Sequence, residues 1–286
     1  MSSPRPKDLH RTSAVDHPTT WSVLQIPLAY GRRVSMTALA WRLGQLSIFA
    51  LMVVAWELIG LWRPILAVEL SSPGLVIQEL RGMLDLDGWH HVWVTLSTAA
   101  FGCAVGTAMA CIATLVLASN RLLRNFLSPF IVILNAVPRV ALAPLFILWF
   151  GIGIRAGTAF VIAIIFFLVF VNLFTGVQTI DRLYLMNARA LGGGKLWILR
   201  EVYIPSVLAW LIASLRNAVA LALLGAAVAE LIAGTAGLGF LIAQGTNSGN
   251  SAEVIAAALI LALVTLLANS VISRVERNLL AWQLSQ

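Results

Sequence analysis

The sequence predicts an all-α polytopic membrane protein with six transmembrane helices, on three observations. Of its 286 residues 60% are hydrophobic and 11% charged, and mean hydropathy is +0.91; soluble domains carry roughly a quarter charged residues. The apolar runs are continuous rather than alternating, which excludes a β-barrel, whose strands face lipid and lumen in turn. The remaining charges gather between those runs. A net charge of +7 would suggest nucleic acid in a soluble protein. Here orientation in lipid explains it, and no nucleic-acid partner is expected.

Residues 1–44 carry Arg5, Lys7, Arg11, Arg32, Arg33 and Arg42 and no apolar core. They read as a cytoplasmic tail, disordered at first, rather than a cleavable signal. Residues 45–286 then form the transmembrane domain. Its six spans are placed at Leu46–Trp62, Val92–Ser119, Phe126–Phe150, Ala156–Val177, Val207–Ile232 and Val254–Ile272. Each reaches, or nearly reaches, the roughly 20 residues a crossing requires. Between the first two lies VELSSPGLVIQELRGMLDLDGW, a Pro-Gly turn and a short amphipathic stretch read as a surface helix. Gly102-x-x-x-Gly106 permits close helix approach, read as packing within the chain. Cys103 and Cys111 are about 12 Å apart along one helix, too far to bridge. Trp41, Trp62, Trp89, Trp93, Trp149 and Trp282 sit near span ends, as interface anchors do.

Basic residues set the orientation. With the N-terminus inside, the six tail residues, Arg121, Arg124, Arg182, Arg189, Lys195, Arg200, Arg274 and Arg277 face the cytoplasm. Only Arg63, Arg81 and Arg155 face the other side. Both termini are therefore expected in the cytoplasm, with the chain multi-pass in the plasma (inner) membrane.

A polar island, DRLYLMNARALGGGKLWILREVYIP at Asp181–Pro205, interrupts the apolar sequence on the cytoplasmic side. Its three consecutive glycines, Gly192, Gly193 and Gly194, weaken helix and admit positive φ. Two short helices at an angle are expected, one ending near Leu191 and one starting near Lys195. Pro205 should stop or kink the chain where the fifth span begins. Such an element would offer Leu183, Tyr184, Leu196 and Trp197 to a partner's groove; the alternative is a plain interfacial loop. Its Gly-Lys is not a phosphate loop, because position 189 is Arg and Lys195 is followed by Leu196. ATP hydrolysis, if used, must come from a partner.

Charge inside a span costs about 2.5 kcal/mol or more on insertion scales, so Glu57, Arg139, Arg216 and Glu230 each need a reason. Arg139 follows Pro138, and with Pro144 this marks a broken helix of the kind that lines substrate pathways; headgroup contact is the alternative. Arg216 is read as lining the pathway, snorkelling to headgroups, or pairing with Glu230. The last cannot occur within one helix, since the two are about 21 Å apart along it. Glu57 and Glu230 lie near outer span ends, where interfacial or packing roles are expected. His10, His17, His90 and His91 form no metal pattern, and no catalytic cluster is visible, so neither a metal site nor an enzyme is expected.

Several of these segments resemble the permeases of ABC importers. Met186-Asn187-Ala188, Gly192 and, after nine intervening residues, Val202-x-Ile204-Pro205 fall on the spacing of that family's cytoplasmic loop. SVLAWLIASLRNAVALALLGAAVAELIAGTAGLGFLI is similar to the fifth span and exit loop of the nitrate/sulfonate/taurine type. AVPRVALAPLFILWFGIG, from Ala136 to Gly153, and SSPGLVIQEL resemble further segments of that subfamily. The resemblance implies a type I importer permease over 45–286, two copies of which form the pore. It implies cytoplasmic ATPases docked on the coupling loop 181–205, with Ala188, Gly192, Lys195 and Pro205 joining Leu183, Tyr184, Leu196 and Trp197. It implies an extracytoplasmic solute-binding protein meeting a gate that includes Glu230, Gly237 and Gly239. ATP and Mg would be held by the partner, and the solute would be a small oxyanion of the nitrate, sulfonate or taurine type. An importer permease for a pyrimidine or aromatic solute, or a carrier driven by an ion gradient, is the alternative. The chain departs from the pattern at Met186 and Asn187, where the family has Glu and Ala.

Overall fold

In lipid every backbone N–H and C=O must be satisfied within its own segment, and long apolar runs achieve this as helices. The computed structural model describes residues 34–62, 71–83 and 85–280, which are helical apart from short connections. In chain order the helices are α1 (Val34–Trp62), α2 (Pro73–Gly82), α3 (Leu86–Ser119), α4 (Arg121–Ala136), α5 (Ala143–Phe150) and α6 (Ile154–Gln178). They continue as α7 (Arg182–Ala190), α8 (Lys195–Ile198), α9 (Ile204–Ala233), α10 (Leu238–Ser248) and α11 (Ser251–Leu280). A 3₁₀ turn, Arg139–Leu142, precedes α5, and a π turn, Leu199–Tyr203, joins α8 to α9.

The chain divides into two units, residues 1–52 and 53–286. In the first, residues 34–52 are helical, so helix begins ten residues before the expected tail boundary at 44. Ala38, Leu39 and Ala40 are strong helix formers and carry α1 through Arg42. The rest of the tail, with Arg5 to Arg33, lies outside the described residues.

In the second unit α6 is the central helix. Phe160, Val161, Ile165, Val169 and Leu173 are fully buried along it, with α3 and α9 packed on its sides. Small residues make the close approach possible. A Cβ on Gly106 would lie 2.7 Å from the Ile162 carbonyl oxygen, and one on Gly225 2.3 Å from Ile164 Cδ1. The Gly102-x-x-x-Gly106 pair thus seats α3 on α6, inside the chain as expected. Cys103 and Cys111 are half-buried and unbridged. The segment after α1 contains the expected short helix, α2. Ser72 caps it, accepting from the Leu75 N–H at 3.4 Å, Pro73 opens it, and Val76 packs on Ala252 and Ala256 of α11.

Among the described residues, five helical stretches are long and apolar enough to cross a membrane: Ala40–Ile59, Asp87–Ser119, Ile154–Gln178, Lys195–Ala233 and Ser251–Glu276. The expected third span, Phe126–Phe150, is not one of them. It is divided into α4, a break at Val137-Pro138, the 3₁₀ turn and α5. Pro138 adopts φ −70° and ψ 94°, and, lacking an N–H, it cannot continue the ladder of α4. Pro144 sits in the first turn of α5, where a missing N–H costs nothing.

The fifth span also differs from expectation. Helix runs without interruption from Lys195 to Ala233 rather than starting at Val207. Pro205 does not stop it, because the wider turn at Leu199–Tyr203, where the Ile204 N–H donates to the Leu199 carbonyl, absorbs the misfit ahead of the ring.

Candidate functional site

The 181–205 island folds as the glycines require. The Asp181 carboxylate caps α7 by accepting from the Leu183 N–H at 2.8 Å. The helix ends in a Schellman turn: the Gly193 N–H donates to the Ala188 carbonyl at 2.9 Å and the Gly192 N–H to the Arg189 carbonyl at 3.0 Å. Gly192 occupies the left-handed position with φ +83°. Gly193 carries the Trp197 ring, and a Cβ there would lie 2.8 Å from Trp197 Cε3.

This turn separates two kinds of side chain. Ala188, Ile198 and Tyr203 are buried and join the main core, together with Leu117 and Ala118 of α3. Leu183, Tyr184, Met186, Leu191, Leu196 and Trp197 are exposed, Leu191 at 85% and Leu196 at 79%. Gly192, Lys195 and Pro205 are exposed as well. Of the eight docking residues named from sequence and resemblance, Ala188 alone is turned inward. It anchors α7 rather than presenting a surface. Leu191 and Met186 belong to the outward face and were missed.

The pathway residues fall in two places. Pro138 and Pro144 are exposed at the break between α4 and α5, and Arg139, half-buried, donates from Nη2 to Asn135 Oδ1. Arg216 of α9 pairs with Glu276 of α11 at 3.2 Å, their side chains 55% and 22% exposed. Its partner is therefore not Glu230. The sequence held no signal for this pairing, because sixty residues separate the two.

Glu230, Gly237 and Gly239 are brought together at the opposite end of α9 from the island. Glu230 is 6% exposed, and its Oε2 accepts from the Thr95 hydroxyl at 2.8 Å and the Gly239 N–H at 3.1 Å. Gly237 has φ +112°, and a Cβ there would fall 2.2 Å from Glu230 Cδ. The expected interfacial or packing role for Glu230 is thus realised as packing, inside the protein. Thr95, fully buried, and His91 complete this cluster; Thr95 was not singled out, and His91 was named only among histidines that form no metal pattern. An acidic residue in the last turn of one helix, followed closely by the glycines that open another, was the available signal. Beside it an open cleft of about 520 Å³ lies between the end of α9 and α10, lined by Leu231, Phe240, Gln244 and Asn247.

The family model of the binding-protein-dependent transport system inner membrane component matches residues 102–281, which include the broken third segment, the island, and Glu230 with Gly237 and Gly239. The chain belongs to this family. The permease is 28% identical over 240 residues to the formylaminopyrimidine transport permease protein of Halalkalibacterium halodurans, covering 83% of this chain and 95% of that one. It is also 28% identical over 236 residues to the putative aliphatic sulfonates transport permease protein of Bacillus subtilis, covering 82% and 85%. Its fold is shared with a chain of the inward-facing MetNI methionine ABC transporter at TM-score 0.58 and 19% identity, covering 66% of the permease and 94% of that chain. Membership in this family removes the support for a carrier driven by an ion gradient.

Proposed function

We propose that the permease is the pore-forming subunit of a type I importer, working as two copies with two cytoplasmic ATPases and an extracytoplasmic solute-binding protein. The 181–205 element carries the reading. A capped turn with a buried inner row and an apolar outer row is what a partner's groove requires of a docking helix. The partner holds ATP and Mg, and its closure would be transmitted through this element to switch access across the membrane. The broken α4–α5 segment serves as the sixth crossing, and both termini lie in the cytoplasm, in keeping with the distribution of Lys and Arg.

For the solute we propose a small oxyanion of the nitrate, sulfonate or taurine type. Arg139 supports this: it sits at a helix break, and among the described residues it is bonded to a neutral amide and paired with no carboxylate. The relative named for a formylaminopyrimidine favours a second reading, a heterocyclic solute recognised by stacking and hydrogen bonds.

Co-purification tests the docking. The permease should bring down an ATP-hydrolysing subunit, and deletion of Gly192–Lys195 should abolish this while leaving membrane insertion intact. Retained association would refute the assignment. Identifying by mass spectrometry the ligand of the cognate binding protein separates the two solute readings.

A further inference from the structure

Three consecutive N–H groups open α10, and each is taken by a side chain from another helix. The Gly237 N–H donates to His91 Nδ1 at 3.0 Å, the Leu238 N–H to the Thr95 hydroxyl at 2.8 Å and the Gly239 N–H to Glu230 Oε2 at 3.1 Å. The Thr95 hydroxyl in turn donates to that same Oε2 at 2.8 Å. No side chain within α10 performs this service, since its N-cap is Gly237.

We propose that His91, Thr95 and Glu230 form a latch fastening the first turn of α10 to α3 and α9, so that the three helices move as one body during translocation. They are positioning residues. The proposal rests on the importer reading and adds His91 and Thr95 to Glu230, Gly237 and Gly239, the residues that the family resemblance implies for the gate.

The placement of Glu230 argues for this. In the last turn of α9 an acidic side chain faces the negative end of its own helix, an unfavourable position. The same side chain stands at the positive end of α10, whose orphan N–H groups it helps satisfy. The arrangement is coherent only while α10 stays against α9. Glycine is needed on both sides of the contact, because a Cβ on Gly239 would lie 2.1 Å from the Ala227 carbonyl oxygen and one on Gly237 would strike the carboxyl group itself. His91 adds an apolar hold, its ring stacked on Phe240 at 5.9 Å and 14°. The end of α9 is fixed in turn to the start of α6, where the Gly153 N–H donates to the Ala233 carbonyl at 3.0 Å. The cleft between the end of α9 and α10 therefore has a set width.

Amide hydrogen exchange of the membrane-embedded chain, resolved at residues 237–239, tests the latch. Thr95→Val keeps the shape and removes the hydroxyl; it should speed exchange at Leu238 and Gly239 tenfold or more, while Thr95→Ser behaves as the parent. His91→Phe keeps the stack and removes the acceptor, and should speed exchange at Gly237 alone. Uniform acceleration along the chain, or none, would overturn the proposal. A second arm places nitroxides at Trp93→Cys on α3 and Thr246→Cys on α10, with Cys103→Ala and Cys111→Ala. In the complex with its ATPase the distance should be the same before and after trapping with ATP and vanadate, and should change only when Thr95→Val is added. A change in the parent, or none with Thr95→Val, refutes rigid coupling. Failure to assemble with any ATPase would instead refute the permease reading, and the exchange arm would still decide the latch.

Discussion

At Gly192 the backbone φ is +83° and nothing lies within 4 Å of where a Cβ would sit, so a side chain there meets strain but no obstacle. Gly192→Ala should cost about 1–2 kcal/mol, and Gly192→Asn less, because Asn visits the left-handed region readily. Thermal unfolding in detergent should rank the parent, Asn and Ala in that order. Gly193 is the opposite case, with open backbone but no room: a Cβ would lie 2.6 Å from the Ala188 carbonyl oxygen and 2.8 Å from the Trp197 ring. Gly193→Ala should unseat Trp197 and weaken ATPase association even where Gly192→Asn preserves it. Equal association for both would separate Trp197 from docking. The run of three glycines made this turn legible in the sequence. The Thr95 partner of Glu230 was not legible, because it is 135 residues away and only packing brings the two together.

Among the elements, the pairing of α9 with α11 through Arg216 and Glu276 is open to direct measurement. Interhelical polar contacts in membranes average about 0.6 kcal/mol, and the exposed Arg216 gains little from a single partner. A double-mutant cycle with Arg216→Gln and Glu276→Gln should give a coupling near that value; a coupling near zero would show that the two side chains act separately. The break between α4 and α5 was foreseeable from Pro138 and Pro144, since neither can supply an N–H to a continuing ladder. Its form, a 3₁₀ turn and two helices in place of one span, was not, because proline marks where the ladder fails without specifying how the ends are rejoined. At Pro205 the same rule foresaw a disturbance but not its form, for the chain meets the ring with a wider turn and the helix continues past it.

On the scale of the whole molecule, the polar island and the Glu230 cluster occupy opposite ends of the helix that runs from Lys195 to Ala233. In the orientation proposed from the Lys and Arg distribution, the first faces the cytoplasm and the second the outside. In cells, a membrane-impermeant thiol reagent should label Asn247→Cys from outside, and should reach Tyr184→Cys only after the membrane is opened. Labelling of Tyr184→Cys in intact cells would invert the topology. The all-helical class followed from composition, since continuous apolar runs leave lipid-exposed backbone no other form; the family followed from the resemblance of the 181–205 island and its neighbouring segments to known permeases.

The turn at Leu199–Tyr203 also has a rotational consequence. A π turn holds one more residue than the α-helical turn it replaces, and each residue of an α-helix advances the azimuth by about 100°. The wider turn takes up its surplus residue within one revolution, so Leu196 and Trp197 point, relative to the face of α9 that carries Arg216, as they would in a plain α-helix one residue shorter. Removing a single residue from 199–203 would therefore restore an ordinary turn and leave Leu196 and Trp197 facing nearly the same way, whereas the same removal from the α-helical stretch between Pro205 and Arg216 would swing them about a quarter of a circle.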